Sequence, residues 1–232
     1  MSGANPGDSN VLADAWSWLT TAGSWGGAGG IGQRVAEHLG YSLLATVIAA
    51  VIGIAVGAVI GHTGRGEGVV LGLSGVLRAM PSLGLLTFLA LIIPAGITLP
   101  LIPATVVLVI LAVPPILAGT SSGFRSIDRA TVDAAYAMGH STGQVVRQVE
   151  FPLAMPVLIG GVRSAWLQVL ATATIAAYLG LGGLGRFLLD ALAVRDYGMM
   201  LGAAVLVAGL ALITDAAFTV AMKMLSRRGG AR

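Results

Sequence analysis

Apolar runs alternate with short polar stretches along the chain, and the runs define its elements. Leu39–Ile60 is the first, ended by Gly61-His62-Thr63-Gly64-Arg65-Gly66. The second, Val69–Ile93, is interrupted by Arg78-Ala79-Met80-Pro81. Proline removes a helical hydrogen bond and clashes with the preceding turn, so this run reads as one kinked span. Val69–Ala79 alone would reach only ~17 Å at 1.5 Å per residue. After a turn at Pro94–Pro100, a third run extends from Leu101 to about Ala118, with Pro114-Pro115 near its end. The polar loop Gly119–Glu150 precedes a fourth run, Pro152–Leu179, which proline opens in its first turn. Leu179–Gly185 then breaks the helix, Arg186–Tyr197 reads as a short amphipathic surface segment, and Gly198–Met222 is the fifth run.

Each run approaches the ~20 residues a helix needs to cross about 30 Å of hydrocarbon. Backbone groups in lipid must pair internally, which favours helices, and the alternation of a barrel strand is absent. The chain is therefore expected to be an all-α integral membrane protein with about five transmembrane helices, or six if the kinked run crosses twice. Residues 1–38, rich in Gly, Ser and Ala around Trp16, Trp18 and Trp25, form an interfacial arm. Residues 39–222 form the membrane domain, with a cytoplasmic loop at 119–151, and 223–232 a basic tail.

Composition agrees. The 232 residues are 56% hydrophobic and 10% charged, with a mean hydropathy of +0.90, far from soluble domains. Cysteine is absent, which excludes disulfides and thiolate metal sites. His38, His62 and His140 are scattered, so no metal site is expected. Met1–Asn10 lacks the basic and apolar regions of a cleavable signal, leaving targeting to the first apolar helix. With five spans, the Gly119–Glu150 loop and the C-terminus inside, eight of the basic residues face the cytoplasm and three face outside (Arg34, Arg186, Arg195). That bias places the N-terminus outside.

The loop carries a spaced motif: Asp133-Ala134-Ala135, three residues, Gly139, nine residues, Val149-Glu150-Phe151-Pro152. A short helix bearing two alanines and a glycine has a slim face suited to a cleft in another protein. A helix resting on the inner leaflet would also account for Arg125, Arg129 and Arg147 beside anionic lipid. The motif resembles the EAA loop of bacterial ABC importer permeases, with Asp in place of Glu, Val in place of Ile and Phe in place of Leu. A second resemblance runs through Leu181-Gly182-Gly183-Leu184-Gly185, Asp196 and Asp215, together with Arg78-Ala79-Met80-Pro81-Ser82-Leu83. It is similar to the osmoprotectant permeases for glycine betaine, carnitine, choline and proline. Gly180–Gly185 is not a dinucleotide loop, since it follows a membrane helix instead of a strand; it reads as a tight re-entrant bend.

These resemblances imply the type I ABC importer permease fold in a bacterial inner membrane. Asp133, Ala134, Ala135, Gly139 and Pro152 would couple the chain to a cytoplasmic ABC ATPase dimer. A second permease subunit, the same or a related chain, and an extracytoplasmic solute-binding protein complete the expected assembly; lipid surrounds it and no nucleic acid is involved. The chain lacks the Walker A pattern, so it is expected to be a non-catalytic subunit holding no cofactor, with ATP and Mg bound by the ATPase. An amino acid or another small betaine is the alternative cargo. A secondary transporter or a structural membrane subunit is the alternative class.

Candidates for the translocation path or its gate are Arg78, Pro81, Arg163, Gln168 and Tyr178. Arg78 and Arg163 lie about 10 residues into their runs, where an unpaired charge is costly. They either line a path or pair with helix carbonyls and snorkel. Gln168, Thr172 and Tyr178 share one stretch of the fourth run, where they line a polar passage or hydrogen-bond between helices. Trp166, Tyr178 and Phe187 are candidates for holding a quaternary ammonium against aromatic faces.

Overall fold

The computed structural model describes residues 10–66, 68, 72, 75–77 and 80–229. Among these the regular structure is entirely helical: α1 (Val11–Thr20), α2 (Ala22–Trp25), α3 (Ile31–Thr63), α4 (Ser82–Ile92), α5 (Leu101–Arg125), α6 (Arg129–Ala137), α7 (Thr142–Leu179), α8 (Gly185–Val194) and α9 (Tyr197–Gly229). α3, α5, α7 and the Tyr197–Val220 part of α9 are long and apolar enough to cross a membrane, and α4 is a shorter apolar helix.

Several boundaries differ from those read off hydropathy. α3 begins at Ile31, before Leu39, because its polar first turns are held by Glu37, which accepts from Gln33 Nε2 (2.7 Å) and Arg34 Nη1 (3.0 Å). Met80 and Pro81 are not helical and α4 starts afresh at Ser82, so the second run is broken there instead of kinked. A residue before proline is driven out of the α region. Arg78 lies outside the described residues. α5 continues past Ala118 to Arg125 with Pro114 and Pro115 inside it.

α7 begins at Thr142, so Pro152 sits in its interior and not in a first turn. A capping box starts this helix: Ser141 and Gln144 each bond the other's backbone. Val145–Glu150 is a π-turn in which Phe151 N–H donates to Val146 O, five residues back. The wide turn seats Pro152, which has no N–H to give an α-ladder.

The chain divides into two compact units. One comprises Met1–Ser42, Ser82–Thr105 and Leu170–Ile213. Its core gathers Ile31, Leu184, Phe187 and Ala203, with Trp18 edge-on to Phe187 at 5.1 Å between ring centroids. α1 lies on the start of α9, where Gly198 and Gly202 meet Asp14 and Trp18 so closely that an added Cβ would come within 2.5 Å of each. The bend after α7 is pinned to α3. Gly183 N–H donates to Glu37 Oε2 at 2.8 Å, and a Cβ on Gly182 would run into the same carboxylate. His38, fully buried, donates from Nε2 to Leu170 O at 2.9 Å.

The other unit comprises Leu43–Pro81, Val106–Val169 and Thr214–Arg232. Gly53, Gly57 and Gly61 form one stripe of α3 and face Ile116, Thr120 and Phe124 of α5, both sets at four-residue spacing. On its other side α5 meets α7, where Gly119 lies against Gly161 and Gly123 against Ala154. Small residues let helices approach closely where lipid removes the hydrophobic drive between them. Gly57→Val should destabilise the protein by about 1–3 kcal/mol through overpacking against Thr120. Gly209→Ala, where nothing lies within 4 Å, should be neutral or gain about 0.5–1 kcal/mol; thermal unfolding in detergent compares the two.

Candidate functional site

The spaced motif folds into a helix–turn–helix joint within the second unit. α6 is capped at its start by Asp128, whose side chain accepts from Ala130 N–H at 3.0 Å. It ends in a Schellman motif: Gly139 N–H donates to Tyr136 O and His140 N–H to Ala135 O. Gly139 takes φ +86° there, a left-handed conformation that disfavours any Cβ. The glycine of the motif is thus a helix terminator, and Ser141 opens α7 two residues later.

Ala135 is 2% exposed and turned inward, whereas Asp133 and Ala134 are exposed, as are Tyr136 and, at 71%, Met138. α6 therefore presents a slim, largely uncharged outer face. Beneath it lies a polar cavity of about 480 Å³, lined by Asp133, Val132 and Tyr136 on one side and by His62, Arg125 and Glu150 on the other. Glu150, 4% exposed, accepts from His62 Nδ1 at 2.7 Å. Phe151 packs edge-on to Phe124 of α5, 6.5 Å between centroids. Pro152 is exposed, two residues beyond the π-turn.

The candidates within the apolar helices fall into separate places. Arg163 makes a two-pronged ion pair with Asp215 of α9, Nε to Oδ1 at 2.5 Å and Nη2 to Oδ2 at 2.6 Å, both side chains partly exposed. Its partner is thus a carboxylate, not a helix carbonyl. Gln168 donates from Nε2 to Leu111 O at 3.2 Å. Leu111 is four residues before Pro115, whose missing N–H leaves that carbonyl without its α-helical donor. Trp166 is 8% exposed beside an apolar groove of about 470 Å³ with Leu43, Val47 and Phe218. In the first unit, Tyr178 is exposed and lines a cavity of about 160 Å³ with Thr174, Leu192 and Met200, while Phe187 belongs to the core. Pro81 is exposed, immediately before α4. Among the described residues no His, Asp and Glu cluster of three or more fits a metal.

The His62–Glu150 pair, the Gln168 bond to Leu111 and the Arg163–Asp215 pairing do not follow from hydropathy or motif spacing. Two of these left a signal: Pro115 implies an orphaned carbonyl at Leu111, and opposite charges in two apolar helices invite pairing. Nothing local in the chain announces the contact between His62 and Glu150.

Residues 49–228 match the family model described as binding-protein-dependent transport system inner membrane component. The chain is 31% identical over 193 residues to the choline transport system permease protein of Bacillus subtilis (strain 168), covering 83% of this chain and 87% of that one. It is 29% identical over 196 residues to the glycine betaine/carnitine/choline transport system permease protein of the same organism, covering 84% and 88%. Its fold matches a chain of the methionine ABC transporter MetNI, solved in inward-facing conformations, with a TM-score of 0.73 at 22% identity over 84% of this chain and 95% of that one.

Two substitutions probe the joint and the helix contact. Gly139→Ala should destabilise the α6 terminus by about 1–2 kcal/mol, the cost of a Cβ in left-handed backbone, and Gly139→Asn by less; amide exchange in α6 reports both. Gln168→Leu should cost about 0.6 kcal/mol, and at most ~1.7, for an interhelical hydrogen bond in a membrane protein, read from thermal unfolding.

Proposed function

We propose that this chain, which belongs to the binding-protein-dependent transport system inner membrane component family, serves an ABC importer that brings osmoprotectant quaternary amines such as choline, glycine betaine and carnitine into the cell. It is a multi-pass membrane permease subunit of type I fold. The observation that carries the cargo reading is the likeness to quaternary-amine permeases along more than four-fifths of both chains.

The joint at α6 and α7 supplies the coupling in this reading. α6, with Ala134 and Met138 on its outer face and Asp133 at the rim of the cavity beneath, docks into a cytoplasmic ABC ATPase, and Gly139 holds the turn that passes its displacement to α7. ATP and Mg are bound by that ATPase. A second permease subunit completes the path and a solute-binding protein delivers cargo from outside. In this reading α6 and the C-terminal end of α9 lie in the cytoplasm and the N-terminal arm outside, an orientation the positive bias of the loops supports. The ATPase drives transport only by binding one permease state better than the other, and α6 is where that preference is expressed. Arg163, Gln168 and Tyr178 are assigned to the path or to the helix packing that shapes it.

Labelled glycine betaine should enter a transporter-deficient bacterium expressing the chain with its ATPase and binding protein. Choline and carnitine should compete and methionine should not. Gly139→Glu should abolish uptake while the protein stays in the membrane. Displacement by methionine alone, or ATP hydrolysis without betaine uptake, overturns the cargo; full uptake by the Gly139→Glu variant overturns the coupling role.

A further inference from the structure

We propose that His62 and Glu150 form the joint that carries movement of α6 into α3 and α7, a coupling role additional to that of the spaced motif. The proposal rests on the permease reading above. His62 stands in the last turn of α3, and Glu150 closes the π-turn within the first turns of α7, just after the Gly139 turn that joins α6 to it. Their side chains meet at 2.7 Å across 88 residues of sequence. A carboxylate as buried as Glu150 is poorly tolerated without a donor, and His62 Nδ1 supplies it. The contact thus ties the end of one membrane helix to the start of another.

Two features make this tie mobile enough to transmit motion. The π-turn is a local widening of the helix, a feature that recurs at functional sites. The cavity between the pair and α6 gives α6 space to advance: Val132, Asp133 and Tyr136 form its outer wall, His62 and Glu150 part of its inner wall. Arg129, the first residue of α6, lines the same space, so a shift of α6 also moves charge relative to the buried carboxylate. Pressure on α6 therefore reaches α7 through the Gly139 turn and α3 through His62.

The test uses the full complex in proteoliposomes, measuring both ATP hydrolysis and labelled glycine betaine imported per ATP. His62→Ala and Glu150→Ala should each leave assembly and ATP hydrolysis within about twofold and lower import per ATP at least fivefold. The double variant should fall no further, since both remove one contact. His62→Asn, whose side-chain amide occupies the place of Nδ1, should restore import per ATP to within about twofold. Unchanged import per ATP in the alanine variants, or loss of assembly with that ratio unchanged, overturns the joint and leaves the pair a packing contact. Should the wild type hydrolyse ATP without importing betaine, the cargo reading fails separately. The joint is then read from ATP-driven change in labelling of a single cysteine, Tyr178→Cys, in this cysteine-free chain: a change seen in the wild-type background and lost with His62→Ala supports it, and one kept with His62→Ala overturns it.

Discussion

Close approach of α5 to its neighbours is the constraint on which the second unit depends. In a bilayer, burying an apolar side chain between helices gains little, because lipid is equally apolar. Cohesion must come from contact distance, and contact distance here is set by glycine. The stripe Gly53, Gly57 and Gly61 and the pair Gly119 and Gly161 bring backbones together where any Cβ would intrude. The order matters: Phe124, at the end of the α3 contact, also meets Phe151 at the base of α7. The glycine packing therefore positions the polar joint that follows it.

Prolines add a second theme. Pro114 and Pro115 break the hydrogen-bond ladder of α5, and Gln168 reaches across to a carbonyl that the break exposes. Pro152 is accommodated by a wide turn, not by a helix start. At Leu111 the carbonyl that proline frees is paired by a side chain of the neighbouring helix, as backbone must be where water is scarce. Arg163 and Asp215 follow the same rule with charge.

The all-helical class and the apolar spans were legible in the sequence because hydropathy reports directly on the solvent a segment meets. The Asp133–Gly139 spacing was legible as a short helix closed by a glycine, and the αL conformation of Gly139 supplies its physical reason. Helix ends were less legible. α3 starts before Leu39 because Gln33, Arg34 and Glu37 pair among themselves and with the glycine bend, and hydropathy counts such residues only as polar. α7 starts before Pro152 because a π-turn absorbs the proline, and no residue pattern marks that turn. His62 and Glu150, 88 positions apart, meet only through tertiary packing.

α6 has nine residues, short enough that in isolation it would be barely populated, since nucleating a helix is unfavourable and few bonds follow. Asp128 at one end and the Gly139 and Ser141 turn at the other close off its exposed backbone groups. Its shape is thus complete before anything touches it. A partner that recognises this helix meets a finished surface and loses little conformational entropy in ordering it, so the association free energy is left for contact and desolvation.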